Sequence, residues 1–93
     1  MWRVLVTRDV LRALERMGLL ERFRRLMGDV VRSLEGDPSY LGRLLREPVV
    51  MEVAGRGVRR IRMGDFRVFV IIEPEERVIR VIGVRHRRAA YRR

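Results

Sequence analysis

The chain predicts an α+β domain, in which an N-terminal strand and a helical hairpin pack on a small, mainly antiparallel β-sheet. Three observations carry this. Apolar residues recur at helical spacing over residues 8–34. Residues 58–63, 66–72 and 78–84 form three runs rich in β-branched and aromatic side chains, separated by short turn signals. A helical hairpin also leaves one apolar face that needs a sheet to cover it. With 93 residues, 47% hydrophobic and 37% charged, the span 1–93 reads as one folded domain with a modest core.

Each element follows from local chemistry. Trp2, Val4 and Val6 alternate and share one face of a short strand. Thr7 is a suitable N-cap, and Asp9 sits well against the positive end of the helix that follows. Val10, Leu14 and Met17, widened by Leu11, make residues 8–17 an amphipathic helix that Gly18 closes. Leu20, Phe23, Met27, Val30 and Leu34 form the stripe of a second helix. Its wet face carries Glu21, Arg22, Arg25, Asp29 and Arg32, with Glu21–Arg25 and Arg25–Asp29 as expected i,i+4 pairs. Asp37 and Pro38 end that helix and start a short third one over residues 39–46. Residues 49–54 read as an extra strand or an extended connector, and residues 55–57 as a loop. Gly64 and Asp65 join the first two of the three strong strands, and Pro74, Glu75 and Glu76 join the second pair.

Composition narrows the function. All 22 basic residues are arginine, and the formal net charge is +10. Residues 55–93 hold twelve Arg against four acids, a net +8, whereas residues 1–54 hold ten against eight. Such asymmetry points to a polyanionic partner, nucleic acid first. The longest apolar run, residues 68–72, is far too short to span a membrane. The first residues lack the pattern of a signal peptide, so a cytoplasmic protein is expected. Without Cys and with one His, a structural zinc site is not expected, nor is any cofactor.

Strand parity gathers part of the charge. A two-residue turn at Gly64 and Asp65 sets Arg62 opposite Arg67 and Arg60 opposite Phe69. An odd-length turn after residue 72 then puts Val81, Gly83 and Arg85 on the face of Arg67 and Phe69. The opposite face, which the helices should cover, holds Ile61, Met63, Phe66, Val68, Val70, Ile72, Val78, Ile82 and Val84, broken by Arg80. Arg60, Arg62, Arg67 and Arg85 thus share one face. Like charges across a ladder destabilise it, and a phosphate between them reverses the sign. The alternative is a set of solvated arginines on a free sheet face. Guanidinium clamps phosphate and stabilises developing charge but is a poor general base. His86, the one imidazole in the chain, and Tyr91, which can stack on a base, are the tail's candidates for the remaining work.

The stretch Arg60-Ile61-Arg62-Met63-Gly64-Asp65-Phe66-Arg67-Val68-Phe69, followed by the basic strand and tail over residues 81–91, resembles the RelE/ParE toxin superfamily, in particular its archaeal RelE-like branch. The resemblance spans nearly the whole chain and implies the toxin of a type II toxin–antitoxin pair. It further implies a ribosome-dependent endoribonuclease that cuts mRNA without a metal, the 2′-hydroxyl attacking the adjacent phosphate. Arg60 and Arg62 match basic residues that flank the scissile phosphate, and Arg67 matches the phosphate clamp. Arg85 matches the group that stabilises the transition state, and Tyr91 the stacking tyrosine. The catalytic set it implies is Arg62, Arg67, Arg85 and Tyr91, with Arg59, Arg60, His86, Arg87 and Arg88 as RNA contacts. The partners implied are mRNA on the ribosome and an acidic RelB-like antitoxin. This chain departs in carrying Arg where Lys is usual in the hairpin, Phe66 where Tyr is common, and a longer segment over residues 44–57. A ParE-like toxin that inhibits gyrase and a non-catalytic nucleic-acid-binding protein are the competing readings.

Overall fold

The structure, a computed structural model, describes residues 1–90. In chain order the elements are β1 (Arg3–Val6), α1 (Arg8–Arg16), α2 (Leu20–Gly36), α3 (Tyr40–Arg46), β2 (Met51–Val53), β3 (Arg56–Met63), β4 (Phe66–Glu73), β5 (Val78–His86) and α4 (Arg87–Ala90). The five strands form one sheet in the order β1-β5-β4-β3-β2. β1 runs parallel to β5, and every other pairing is antiparallel. The α+β architecture is the one the sequence predicts.

The N-terminal elements form for the expected reasons. Thr7 accepts the Val10 N–H through its hydroxyl at 3.2 Å, and Gly18, at φ +70°, turns the chain between α1 and α2. The backbone N–H of Trp2 donates to Glu35 at 2.9 Å, which ties the start of β1 to the far end of α2. The surface pairs on α2 differ from the expected ones: Glu21 pairs with Arg24, and Asp29 with Arg32, both at i,i+3 spacing. Both pairs are exposed, so either geometry adds only a few tenths of a kcal/mol.

Helices α1 and α2 cover one face of the sheet. Leu14, Phe23, Met27 and Val30 meet Met63, Val68, Val70, Ile72, Ile79, Val81 and Val84 in the main core, with Trp2 and Leu44 at its margins. β4 is covered on both sides. Residues 67–72 are all buried, since Val58, Phe69 and Ile71 form a second small cluster on the other face, with Val50 and Ile82 against it.

Two local expectations change. β3 starts at Arg56, not after residue 57, because Ala54 and Gly55 (φ +53° and +76°) make a two-residue hairpin turn back to β2. The missing side chain of Gly57 leaves room for Val49, which lies where a Cβ would stand. The second change concerns β5. Four residues, 74–77, separate β4 from β5, an even number. Val70 pairs with Val81 while Phe69 pairs with Gly83, so Ile82 is an extra residue in a β-bulge. The bulge swaps sides for the strand's first half. Val81 joins the helix-covered core, while Val78, Arg80 and Ile82 move to the opposite side, contrary to the parity expectation.

Leu14 is fully buried, and Leu14→Ala is expected to cost about 2–5 kcal/mol in urea unfolding, against under about 1 kcal/mol for the more exposed Leu11→Ala. At the start of α3, Asp37 accepts from the Ser39 hydroxyl and N–H, at 2.8 and 2.9 Å, and from Arg43 at 2.9 Å. The Ser39 bonds first, then Arg43, hold its carboxyl below the ordinary value. A depressed pKa gives stability that is present above the unfolded value and lost as pH falls through the folded one. The Tm difference between the wild-type chain and Asp37→Ala should therefore be full above about pH 4 and close below it.

Candidate functional site

The sheet face turned away from the helices carries the charge. Arg62 pairs with Arg67 across β3 and β4, and Arg67 pairs with Arg85 across β4 and β5. Three arginines thus form one cross-strand row, a single rung from the Gly64–Asp65 turn, because Met63 and Phe66 make the last rung. Neighbouring strands lie about 4.8 Å apart, so charges held at that spacing would repel by roughly 1–3 kcal/mol per adjacent pair. Arg60, opposite Phe69, lies on the same face one step further in.

The middle member is built in. Arg67 is 8% exposed, and one of its terminal nitrogens, Nη1, donates to the carbonyls of Gly64 at 3.0 Å and Phe66 at 2.9 Å. These bonds fix the guanidinium against the turn with neutral acceptors. Among the described residues no carboxylate lies within 4.0 Å of Arg62, Arg67 or Arg85. A buried cation without a counter-charge is costly, and an anion between the three groups removes that cost.

The opposite end of the same face is neutralised. Glu73 bonds Arg56 through one oxygen and Arg80 through the other, at 2.6 Å for the latter, and Glu76 lies 4.0 Å from Arg80. Between the two ends lies the apolar cluster of Val58, Phe69 and Ile71. The face is therefore polarised, with positive charge concentrated beside the β3–β4 turn. Its arginines can hold phosphate oxygens and stabilise charge on a reacting phosphate.

The other sequence-derived residues fall elsewhere. Arg59 points to the helix side and donates to the carbonyls of Glu47 at 3.0 Å and Leu45 at 3.2 Å, satisfying the C-terminal end of α3. His86 pairs with Phe66, on the side opposite the arginine row. Its ring stands edge-on to Phe66 at 5.3 Å, and its Nδ1 accepts the Arg88 N–H at 3.3 Å. The Arg87 N–H donates to the Asp65 carbonyl at 2.7 Å, pinning the start of α4 to the β3–β4 turn, and the Arg87 and Arg88 side chains are exposed. Tyr91 lies outside the described residues.

Sequence reasoning overlooked Arg22. It sits on the exposed side of α2 in the helical pattern, yet its guanidinium reaches the Gly64 turn. No short-range signal marks it, because the contact joins residues 42 positions apart. Among the described residues there is no group of three or more His, Asp or Glu suited to a metal ion, and no helix is long and apolar enough to cross a membrane.

The placement of Arg59 has a direct test. Arg59→Ala should lower stability by about 1–3 kcal/mol in urea unfolding, through loss of its carbonyl bonds, and leave RNA affinity within a few-fold of wild type. A large loss of affinity at unchanged stability would put Arg59 among the ligand contacts.

No curated protein matches the chain. Among solved structures, the chain is similar to one in the crystal structure of the archaeal RelE–RelB complex from Pyrococcus horikoshii OT3, with 21% identity, a TM-score of 0.62, and coverage of 92% of this chain and 94% of that one. That likeness extends to the fold. The family model of the ParE toxin of type II toxin–antitoxin system, parDE, matches residues 4–91, almost the entire sequence. The chain belongs to the ParE toxin family of type II toxin–antitoxin systems.

Proposed function

We propose that this toxin is a ribosome-dependent endoribonuclease that cleaves mRNA in the ribosomal A site. The observation that supports it is the row of Arg62, Arg67 and Arg85, with its central guanidinium buried and held by carbonyls. In this reading the row binds one phosphodiester, with Arg60 and Arg62 on one flank. The 2′-oxygen attacks the phosphorus, the bond to the 5′-oxygen breaks, and a 2′,3′-cyclic phosphate remains. Arg67 clamps the non-bridging oxygens while Arg85 stabilises charge building on the phosphate and the departing oxygen. Guanidinium is a poor proton acceptor, so the 2′-hydroxyl proton passes to water and the departing 5′-oxygen takes a proton from water, while Tyr91 in the tail stacks on the base and orients the strand.

The proposed setting is the cytoplasm, and the proposed second partner is an acidic antitoxin, for which the RelE–RelB complex is the precedent. A net charge of +10 favours such a partner, and covering the arginine row would silence it. The matching family model is that of a ParE toxin, and the second reading is a ParE-like toxin that inhibits gyrase without cutting RNA. The three-arginine row supports the first, because guanidinium groups gathered on one rung suit holding a phosphate and stabilising charge that builds on it.

Translation of a defined mRNA with added toxin, followed by mapping of cleavage ends with and without ribosomes, separates the two. Cuts that require ribosomes are expected. Arg85→Ala and Arg67→Ala should each lower the cleavage rate by about 10²-fold or more. Affinity for a non-cleavable RNA should change far less with Arg85→Ala. Intact mRNA together with inhibited supercoiling would establish the gyrase reading instead.

A further inference from the structure

The β3–β4 turn carries arginines on both of its sides. On the open face, Arg67 donates to the Gly64 carbonyl at 3.0 Å. From the helix side, Arg22 of α2 lays its guanidinium into the space where a side chain on Gly64 would stand. Gly64 also has φ +58°, so this position favours glycine for both backbone and space. Arg22 is exposed, and among the described residues it makes no ion pair. The nearest acid in sequence, Glu21, is engaged by Arg24 instead.

The charge distribution gives this contact a direction. A polyanion on the arginine row cannot continue toward the β4–β5 end, where Glu73 already bonds Arg56 and Arg80 and where Glu75 and Glu76 add further negative charge. Beyond the turn it meets Arg22, with Asp65 the one carboxylate of the turn itself. We propose that Arg22 forms a second phosphate position, so that a single RNA strand crosses the β3–β4 turn from the open face to the helix side. The inference rests on the reading of the row as a phosphate site. It adds a residue from α2, a path and a length requirement: Arg22 acts on a phosphate neighbouring the one the row holds, and only a strand long enough to pass the turn gains from it.

The test uses the intact protein and two non-cleavable 2′-O-methyl RNAs, a dinucleotide with a single phosphate and a longer single strand. Binding is measured over a range of salt. For the longer strand, Arg22→Ala should reduce the slope of log K against log salt by about 0.7, the value for one phosphate contact on a single strand. Dinucleotide binding should stay at wild-type level, and Arg22→Lys should retain the slope. Arg24→Ala, which removes equal charge elsewhere on α2, should leave the slope unchanged. An unchanged slope in Arg22→Ala overturns the path, and so does an equal drop in Arg24→Ala. Weakened dinucleotide binding in Arg22→Ala also overturns it, as a disturbed turn would produce that result. Arg62→Ala and Arg67→Ala, which remove the groups assigned to ground-state phosphate binding, separate the two levels. If they lose the dinucleotide while Arg22→Ala behaves as wild type, only the path fails; if they retain it, the row is not the phosphate site and both readings fall.

Discussion

Three like charges side by side on adjacent strands set the terms for the rest of this structure. Arg62, Arg67 and Arg85 occupy one rung of the sheet. The fold accommodates them by anchoring the central guanidinium to two carbonyls of the turn and by placing the acids of the open face at the far end. The apolar drive that offsets the repulsion comes mostly from the other face, where α1 and α2 bury Val68, Val70, Ile72, Ile79 and Val84. β4 carries both duties, since alternate residues serve the core and the charged face.

Register makes this division possible, and it rests on a compensation. The four-residue link between β4 and β5 would place Arg85 on the helix side if β5 paired without interruption. The extra residue Ile82 restores the alignment of Arg85 with Arg67 beyond the bulge. Parity reasoning from the sequence reached the right partners for Arg67 by assuming an odd-length turn, and the structure reaches them by an even turn and a bulge. The error shows where the two routes differ, in the first half of β5. There Arg80 is not an intruder in the core but a partner of Glu73.

The legible parts of the chain were those governed by neighbours in sequence. The Thr7 cap, the stripes of α1 and α2, the Asp37 stop and the Gly64 turn all depend on residues a few positions apart. The illegible parts depend on distant contacts. Arg59 resembles its basic neighbours in composition, yet the carbonyls at the end of α3 take it to the helix side. His86 follows Arg85 by one residue, and strand alternation alone sends it to the opposite face, against Phe66. Arg22 looks like any solvated helix arginine until the turn of a hairpin far along the chain comes beneath it.

The parallel pairing of β1 with β5 constrains the order in which this protein can be completed during synthesis. Among the described residues β1 has β5 as its sheet neighbour, and β5 is made long after it, so β1 must wait while everything between them is made. Arg85 belongs to that same late strand. A nascent chain therefore carries α1 and α2 with their apolar faces uncovered and an arginine row that lacks a member. The toxin's charged rung comes into being only after β5 has emerged from the ribosome that made it.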